Sequence, residues 1–198
     1  MANDKVLYGL KNIHVAVFDE TAGTYGTPVA VPGAVQLTAE HQSETSKFYA
    51  DDIAYFTTAT NSGVSGSIQF AYLPDTIKKL LLGYKEDATT GLIYEVTDAK
   101  LPSFALLFEV TGDANQRRNV FYNCTLNLPS EEHNTRGEST EPDTETYDFE
   151  AIGRNFTIGT GSSAVTENVL KASCTNEGET HAAYDGFFTA VVIPGAGA

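Results

Sequence analysis

The side chains able to do acid–base, nucleophilic or metal chemistry are few in this chain and scattered along it. The four histidines are His14, His41, His133 and His181. Each reads as a surface or internally satisfied residue rather than a general base. Asp51 and Asp52 are adjacent carboxylates, but neighbours on a strand point to opposite faces, so the pair suits a turn better than acid–base work. There is no GxSxG elbow and no HExxH helix, and Gly159-Thr160-Gly161 is not followed by the Lys-Ser/Thr of a phosphate loop. The two cysteines, Cys124 and Cys174, lack CxxC or Cys/His ligand spacing. They read as small hydrophobes, buried or half-buried, not as a zinc or redox pair.

The densest run of carboxylates lies in residues 129–146, where Glu131, Glu132, Glu138, Glu141, Asp143 and Glu145 face Arg136 alone. The run lacks the EF-hand spacing, with its sixth-position Gly and twelfth-position Glu. It reads as a solvated loop or an acidic surface used in assembly. The expectation is a protein without metal, cofactor or catalytic activity.

Charge narrows the partners. The 198 residues carry 26 Asp+Glu against 12 Lys+Arg, a formal net charge of −14. Affinity for nucleic acid comes largely from Lys and Arg displacing counterions from phosphate, so this chain is a poor DNA binder. The same charge serves solubility, or a surface past which an anion slides. The N-terminus, MANDKVLYGLKNIHVAVFDE, is no signal peptide, since no apolar run follows a basic start. No stretch approaches the roughly 18 consecutive apolar residues of a membrane span. A cytoplasmic origin is expected. At 41% hydrophobic residues the chain is long and apolar enough to bury a core as one domain, 1–198.

The elements that hold these residues are mostly strands. Period-2 alternation puts Ile13, Val15 and Val17 on one face, and Phe104, Leu106, Phe108 and Val110 on another. In Val120–Leu128 it separates Val120, Tyr122, Cys124, Leu126 and Leu128 from Phe121, Asn123, Thr125 and Asn127, a half-buried pattern. Weaker strand signals cover Ala34–Ala39, Ser46–Ala50, Ile53–Thr58, Ser67–Leu73, Leu92–Val96, Thr146–Ile152 and Thr189–Ile193. Asn61-Ser62-Gly63 reads as a turn, and residues 19–33 and 129–146 as loops. Pro74 and Asp75 open a short helix that Gly83 closes, with Ile77, Leu80 and Leu81 as its apolar stripe. A second short helix is expected over Thr180–Phe188.

The aromatic residues around the Asp51-Asp52 turn admit two readings. Phe48, Tyr49, Tyr55 and Phe56 flank the Asp51-Asp52 turn at consecutive positions, so both faces of that hairpin carry aromatics. A hairpin protruding over 40–65 at the domain's edge buries one face on its own core and leaves the other for a partner; the alternative is a hairpin sandwiched within the monomer.

Several segments resemble the siphophage major tail protein family. They are the opening Val6-Leu7-Tyr8-Gly9-Leu10-Lys11-Asn12-Ile13-His14, the Phe48-Tyr49-Ala50-Asp51-Asp52-Ile53 hairpin, and Gly66–Leu73 followed by Pro74-Asp75. Glu138-Ser139-Thr140-Glu141-Pro142-Asp143-Thr144-Glu145-Thr146 and Tyr184-Asp185-Gly186-Phe187-Phe188 complete the set. The matches run from near residue 6 to near residue 193. Some relatives append a further C-terminal domain, and no counterpart to it is expected in the residues up to Ala198.

The resemblance implies a mainly β fold, a sandwich or barrel-like tail-tube core with one or two short flanking helices. It implies hexameric rings stacked into a tube in the virion tail, assembled in the host cytoplasm. The partners would be copies of the chain itself, a tape-measure protein, tail terminator and adaptor proteins, and DNA that passes without specific binding. Phe48, Tyr49, Asp51, Asp52, Tyr55 and Phe56 would contact the next ring or subunit, with Tyr8, Lys11 and the acids of 129–146 as further interface candidates. The alternative is a soluble β-sandwich binding module, a carbohydrate-recognising or adhesin-like decoration domain.

Overall fold

The computed structural model describes residues 9–112, 116–129, 143–159, 164–176 and 182–195. The fold is mainly β, as expected. Its main sheet is antiparallel and contains β1 (Leu10–Asp19), β2 (Thr24–Tyr25), β3 (Val29–Ala30), β4 (Ala34–Ala50), β5 (Ile53–Phe70), β8 (Phe104–Val110), β9 (Arg117–Leu126), β10 (Glu145–Ile152) and β13 (Lys171–Cys174). Strand order is β2-β1-β8-β9-β10-β5-β4, with β3 beside β1. One edge of β9 serves two partners: Arg118–Phe121 pair with β13 and Asn123–Leu126 with β10. Two small hairpins stand apart, β6 (Lys85–Glu86) with β7 (Ile93–Tyr94), and β11 (Arg154–Ile158) with β12 (Val165–Val169).

The sheet curls around one core and carries a second core on its back. Ile13, Val15, Val64, Ile68, Phe70, Phe104, Leu106, Phe121, Cys124, Tyr147 and Phe149 line the first. Helix α1 (Asp75–Leu81) closes it with Ile77 and Leu81, beside Leu73 and Leu82. Leu80 departs from the expected stripe: it lies on the exposed side, and Leu73 and Leu82 fill the buried positions. Gly83 adopts φ 71°, the left-handed stop that a residue without Cβ accepts freely. On the back, Ala16, Ala105, Leu107, Val120 and Tyr122 meet Phe156 of β11 and Phe187. A C-terminal strap, α2 (Ala182–Asp185) and the segment to Ile193, covers this second core.

Burial on both sides corrects the half-buried reading of 120–128. Register steps from Phe104↔Cys124 to Leu106↔Phe121, so β9 holds one residue more than β8 at this point, a bulge. The bulge reverses the faces. Phe121 joins Cys124 and Leu126 in the first core, while Val120 and Tyr122 face the second.

Other expectations need correction. The loop 19–33 contains β2 and β3. Ala34–Ala39 and Ser46–Ala50 are one 17-residue strand, and Ile53–Thr58 runs on to Phe70 in an 18-residue strand. Asn61-Ser62-Gly63 is no turn. Gln42 pairs with Gly63 and Ser43 with Asn61, leaving Ser62 as the extra residue of a bulge, and Gly63 sits at φ 140°. Leu92–Val96 shrinks to Ile93–Tyr94. Thr189–Ile193 is not a strand: Thr189 and Ala190 donate back to the Gly186 carbonyl, and Val192 accepts from the Tyr122 hydroxyl at 2.8 Å. The second helix spans only Ala182–Asp185; Thr180 and His181 lie outside the described residues.

Candidate assembly surface

The β4–β5 ribbon leaves the body because its neighbours stop. On β5, pairing with β10 ends at Ala151↔Val64. From Gly63 to the tip, among the described residues, β4 and β5 pair with each other alone. About ten residues per strand at roughly 3.3 Å each make a ribbon on the order of 30 Å long. Residues 38–49 and 51–62 are all exposed. A lone two-stranded hairpin is marginal in water, and among the described residues nothing covers this one.

Its tip has a defined geometry. Asp51 and Asp52 take φ 52° and 63°, the two left-handed central residues of a type I′ turn, whose twist matches that of the strands. Phe48 stands opposite Phe56, and Ala50 opposite Ile53. These positions share a face, with Tyr49 and Ala54 on the other. Register slips by one between Phe48 and Tyr49, making Tyr55 the bulged residue. Phe48, Tyr49, Ile53, Tyr55 and Phe56 are 60–73% exposed. The structure therefore brings all six expected tip residues into one apolar cap with an acidic turn, and adds Ile53.

The remaining candidates separate. Lys11 is engaged internally: its ammonium pairs with Glu109 at 3.1 Å. Glu109 is 2% exposed and also accepts from Asn12 at 3.0 Å and from Arg118 at 3.3 Å. Burial pushes its carboxyl up, but Asn12, Lys11 and Arg118 outweigh that and hold it below the ordinary value. The Arg118 guanidinium also donates to the Tyr184 carbonyl and lies 3.8 Å from that ring's centroid. Glu145 is not a loop acid. It opens β10 and accepts from Lys78 at 3.0 Å, the Leu73 amide at 3.2 Å and the Tyr147 hydroxyl at 2.7 Å, tying α1 to the sheet. Asp143 is exposed. Tyr8, Glu131, Glu132, Glu138 and Glu141 lie outside the described residues, as does His133. His14 stacks on Phe188 at 4.6 Å, and His41 is exposed at the ribbon's root. Burial pushes the Cys124 thiol up, so it stays protonated and inert. Among the described residues, no three His, Cys, Asp or Glu side chains cluster to hold a metal ion.

A second surface emerges only in three dimensions. The strap, β11 and β12 cover the back of the sheet over β1, β8 and β9, and among the described residues nothing covers it over β10, β5 and β4. There the register aligns Glu40 with Ser65 and Glu150, Thr38 with Ser67 and Asp148, and Gln36 with Gln69 and Thr146. The rows carry three carboxylates and no lysine or arginine. Serine spacers keep Glu40 and Glu150 two strand widths apart, roughly 10 Å. Hydroxyls and amides knit the face: Thr38 and Ser67 meet at 2.8 Å, and Gln42 donates to Ser65 at 2.5 Å. Gly66 lets β4, β5 and β10 close here; a Cβ would run into the Thr38 carbonyl of β4 and stand 2.8 Å from the Phe149 ring of β10. The signal for this face, Asp148 and Glu150 alternating with Tyr147, Phe149 and Ala151, is present in the sequence. Its alignment with Glu40 depends on pairing through β5.

No family model matches this chain, and no curated protein matches it in sequence. No helix among the described residues is long and apolar enough to cross a membrane.

Proposed function

We propose that this chain is the structural subunit of a bacteriophage tail tube, which closes into rings, hexameric in the family it resembles, and stacks them into a conduit for DNA. The β4–β5 ribbon carries the reading. A monomer gains nothing from about 30 Å of ribbon with an aromatic tip that no element among the described residues covers. A repeating assembly does, because each copy supplies the cover for another. The open face of β10, β5 and β4 supports the conduit. Turned inward, Glu40, Asp148 and Glu150 repel phosphate, which duplex DNA carries at one charge per ~1.7 Å of axis. The role is self-assembly without catalysis, in the virion tail, alongside a tape-measure protein and terminator and adaptor proteins.

The test is negative-stain microscopy of the purified protein over a rising concentration series. Rings or tubes are expected. A monodisperse monomer at every concentration and salt, retained instead on a glycan column, refutes the tube and favours a binding module.

A further inference from the structure

We infer that Lys171 is the chain's preferred acylation site, an amine placed to take an acyl group from an anionic carbonyl donor such as an acyl phosphate. It stands on β13 at the seam where one edge of β9 changes partner. Lys171 lies opposite Phe121 in that ladder, and the Tyr122 amide donates to the Leu170 carbonyl at 3.2 Å. Cross-strand partners share a face, so the side chain lies over the first core. Its ammonium is 5.2 Å from the centroid of the Phe121 ring and 5.9 Å from that of Phe108. These rings are stacked at 6.0 Å and are only 2% and 7% exposed. The aliphatic stem therefore caps aromatic core, while the residue as a whole stays exposed to reagents.

The charges around this amine run against those of a chain at −14. Register places Val110, Arg117, Asn119 and Ser173 on the same face as Lys171, a second cation and no carboxylate. Glu109, the one acid on β8, β9 and β13, turns to the other face and meets Arg118. The other described lysines fall into two groups. Lys11, Lys78 and Lys79 each pair with a carboxylate, whereas Lys47, Lys85 and Lys100 stand exposed. Lys171 has neither an acid partner among the described residues nor full hydration. An amine laid on apolar surface beside a like charge gives up its proton more readily and becomes a nucleophile. Burial first, and the Arg117 charge second, hold the Lys171 ammonium below the ordinary lysine value. In the step itself the Nζ lone pair attacks the carbonyl carbon and a C–N bond forms. The C–O bond to phosphate breaks, phosphate leaves with the electron pair, and the amine proton passes to the leaving phosphate or to water. The two cations attract the anionic donor. The neutral amide product rests on the same rings with no charge to desolvate, so the modified chain stays folded.

The experiment treats the purified full chain, in dilute solution, with a low dose of acetyl phosphate at mildly alkaline pH. Peptide mass spectrometry then follows acetylation lysine by lysine. Lys171 is expected to gain label at least about threefold faster than Lys47, Lys85 or Lys100, because a larger share of it is free amine below the ordinary lysine value of about 10.4. Well above that pH every amine is free, and the lead is expected to vanish. An uncharged active ester is expected to give a smaller lead than acetyl phosphate does. Labelling of Lys171 no faster than the three exposed lysines overturns the inference, since the rings then shield the amine instead of activating it. A lead that persists when every amine is free overturns it too, because access and not protonation then selects the site. So does a lead equally large with the uncharged ester. All three readouts come from the unassembled wild-type chain, so a failure of tube formation leaves them standing and their failure leaves the tube standing.

Discussion

Glu109→Ala removes the carboxylate that Lys11, Asn12 and Arg118 all address. Taking one member from a buried ion pair costs about 3–5 kcal/mol, mostly because the other charge is stranded in a dry site. Here the stranded group is Arg118, whose side chain is 18% exposed and is held between the Tyr184 and Phe188 rings. Lys11, at 47% exposure, turns to water and adds little. For a chain of this size each kcal/mol moves the melting temperature by roughly 2–4 °C, so a drop of about 6–20 °C is expected. Scanning calorimetry at neutral pH reads it. Adding Arg118→Met to the same chain should recover much of the loss, since an apolar pair leaves no orphan charge. The acid limb provides a second readout. The folded carboxyl lies below its unfolded value, so its stabilisation is full above the ordinary glutamate range, near about 4.3. It is lost as pH falls through the folded value. Glu109→Gln should therefore flatten the decline of stability in acid. A loss below about 1 kcal/mol, with an unchanged acid limb, would refute the reasoning that this network locks β1 to the strap.

Three further outcomes are expected. Phe48→Ser with Phe56→Ser exchanges side chains that are 62% and 60% exposed. Denaturant titration should register less than about 1 kcal/mol, while on the proposed assembly the lost burial, about 2–4 kcal/mol, should raise the critical concentration by about 30–800-fold in a sedimentation assay. Gly66→Ala forces a Cβ against the Thr38 carbonyl and the Phe149 ring and should cost about 1–3 kcal/mol in urea unfolding; a neutral effect means the two strands are less tightly closed than described. Glu40→Lys, Asp148→Lys and Glu150→Lys together shift the net charge by +6, from −14 to −8. Assembled tubes of that variant should retain DNA on a filter at low salt and release it as salt rises, and absent retention would mean that this face does not line the conduit.

The sequence carries the ends of elements better than their extents. The ribbon's turn is legible because two aspartates between aromatic residues allow little else. Its length is not, because Gln42–Lys47 and Thr57–Ser62 are polar on both faces and show no alternation for burial to impose. Phe104–Val110 reads correctly since its pattern is unbroken. Val120–Leu128 misleads because a bulge is a pairing event and leaves no mark in a single strand. Val191–Ile193 looks like strand, yet it is an extended strap that packs on the second core and gives a carbonyl to the Tyr122 hydroxyl. The strands β11, β12 and β13 escape notice because they are short and partly exposed. Among the site residues, the tip was readable from local spacing. The open acidic face was not, since Glu40 and Glu150 are separated by 110 residues and meet only through the register of β5.

The polar shaft of the ribbon has its own consequence. Two unpaired backbone edges on an exposed ribbon are a template for indiscriminate strand addition, the first step towards amyloid-like aggregates. Gln42–Lys47 and Thr57–Ser62 contain no large apolar side chain, and Glu44 and Lys47 set charges along the way. They act as gatekeepers that make lateral mispairing unrewarding along the shaft. Exposed apolar surface on the ribbon is thereby confined to the cap, where geometry is defined by a tight turn. A single Thr58→Ile or Thr60→Val, harmless to any buried contact, would extend stickiness down the shaft and, on the proposed assembly, trade ordered polymerisation for amorphous precipitate.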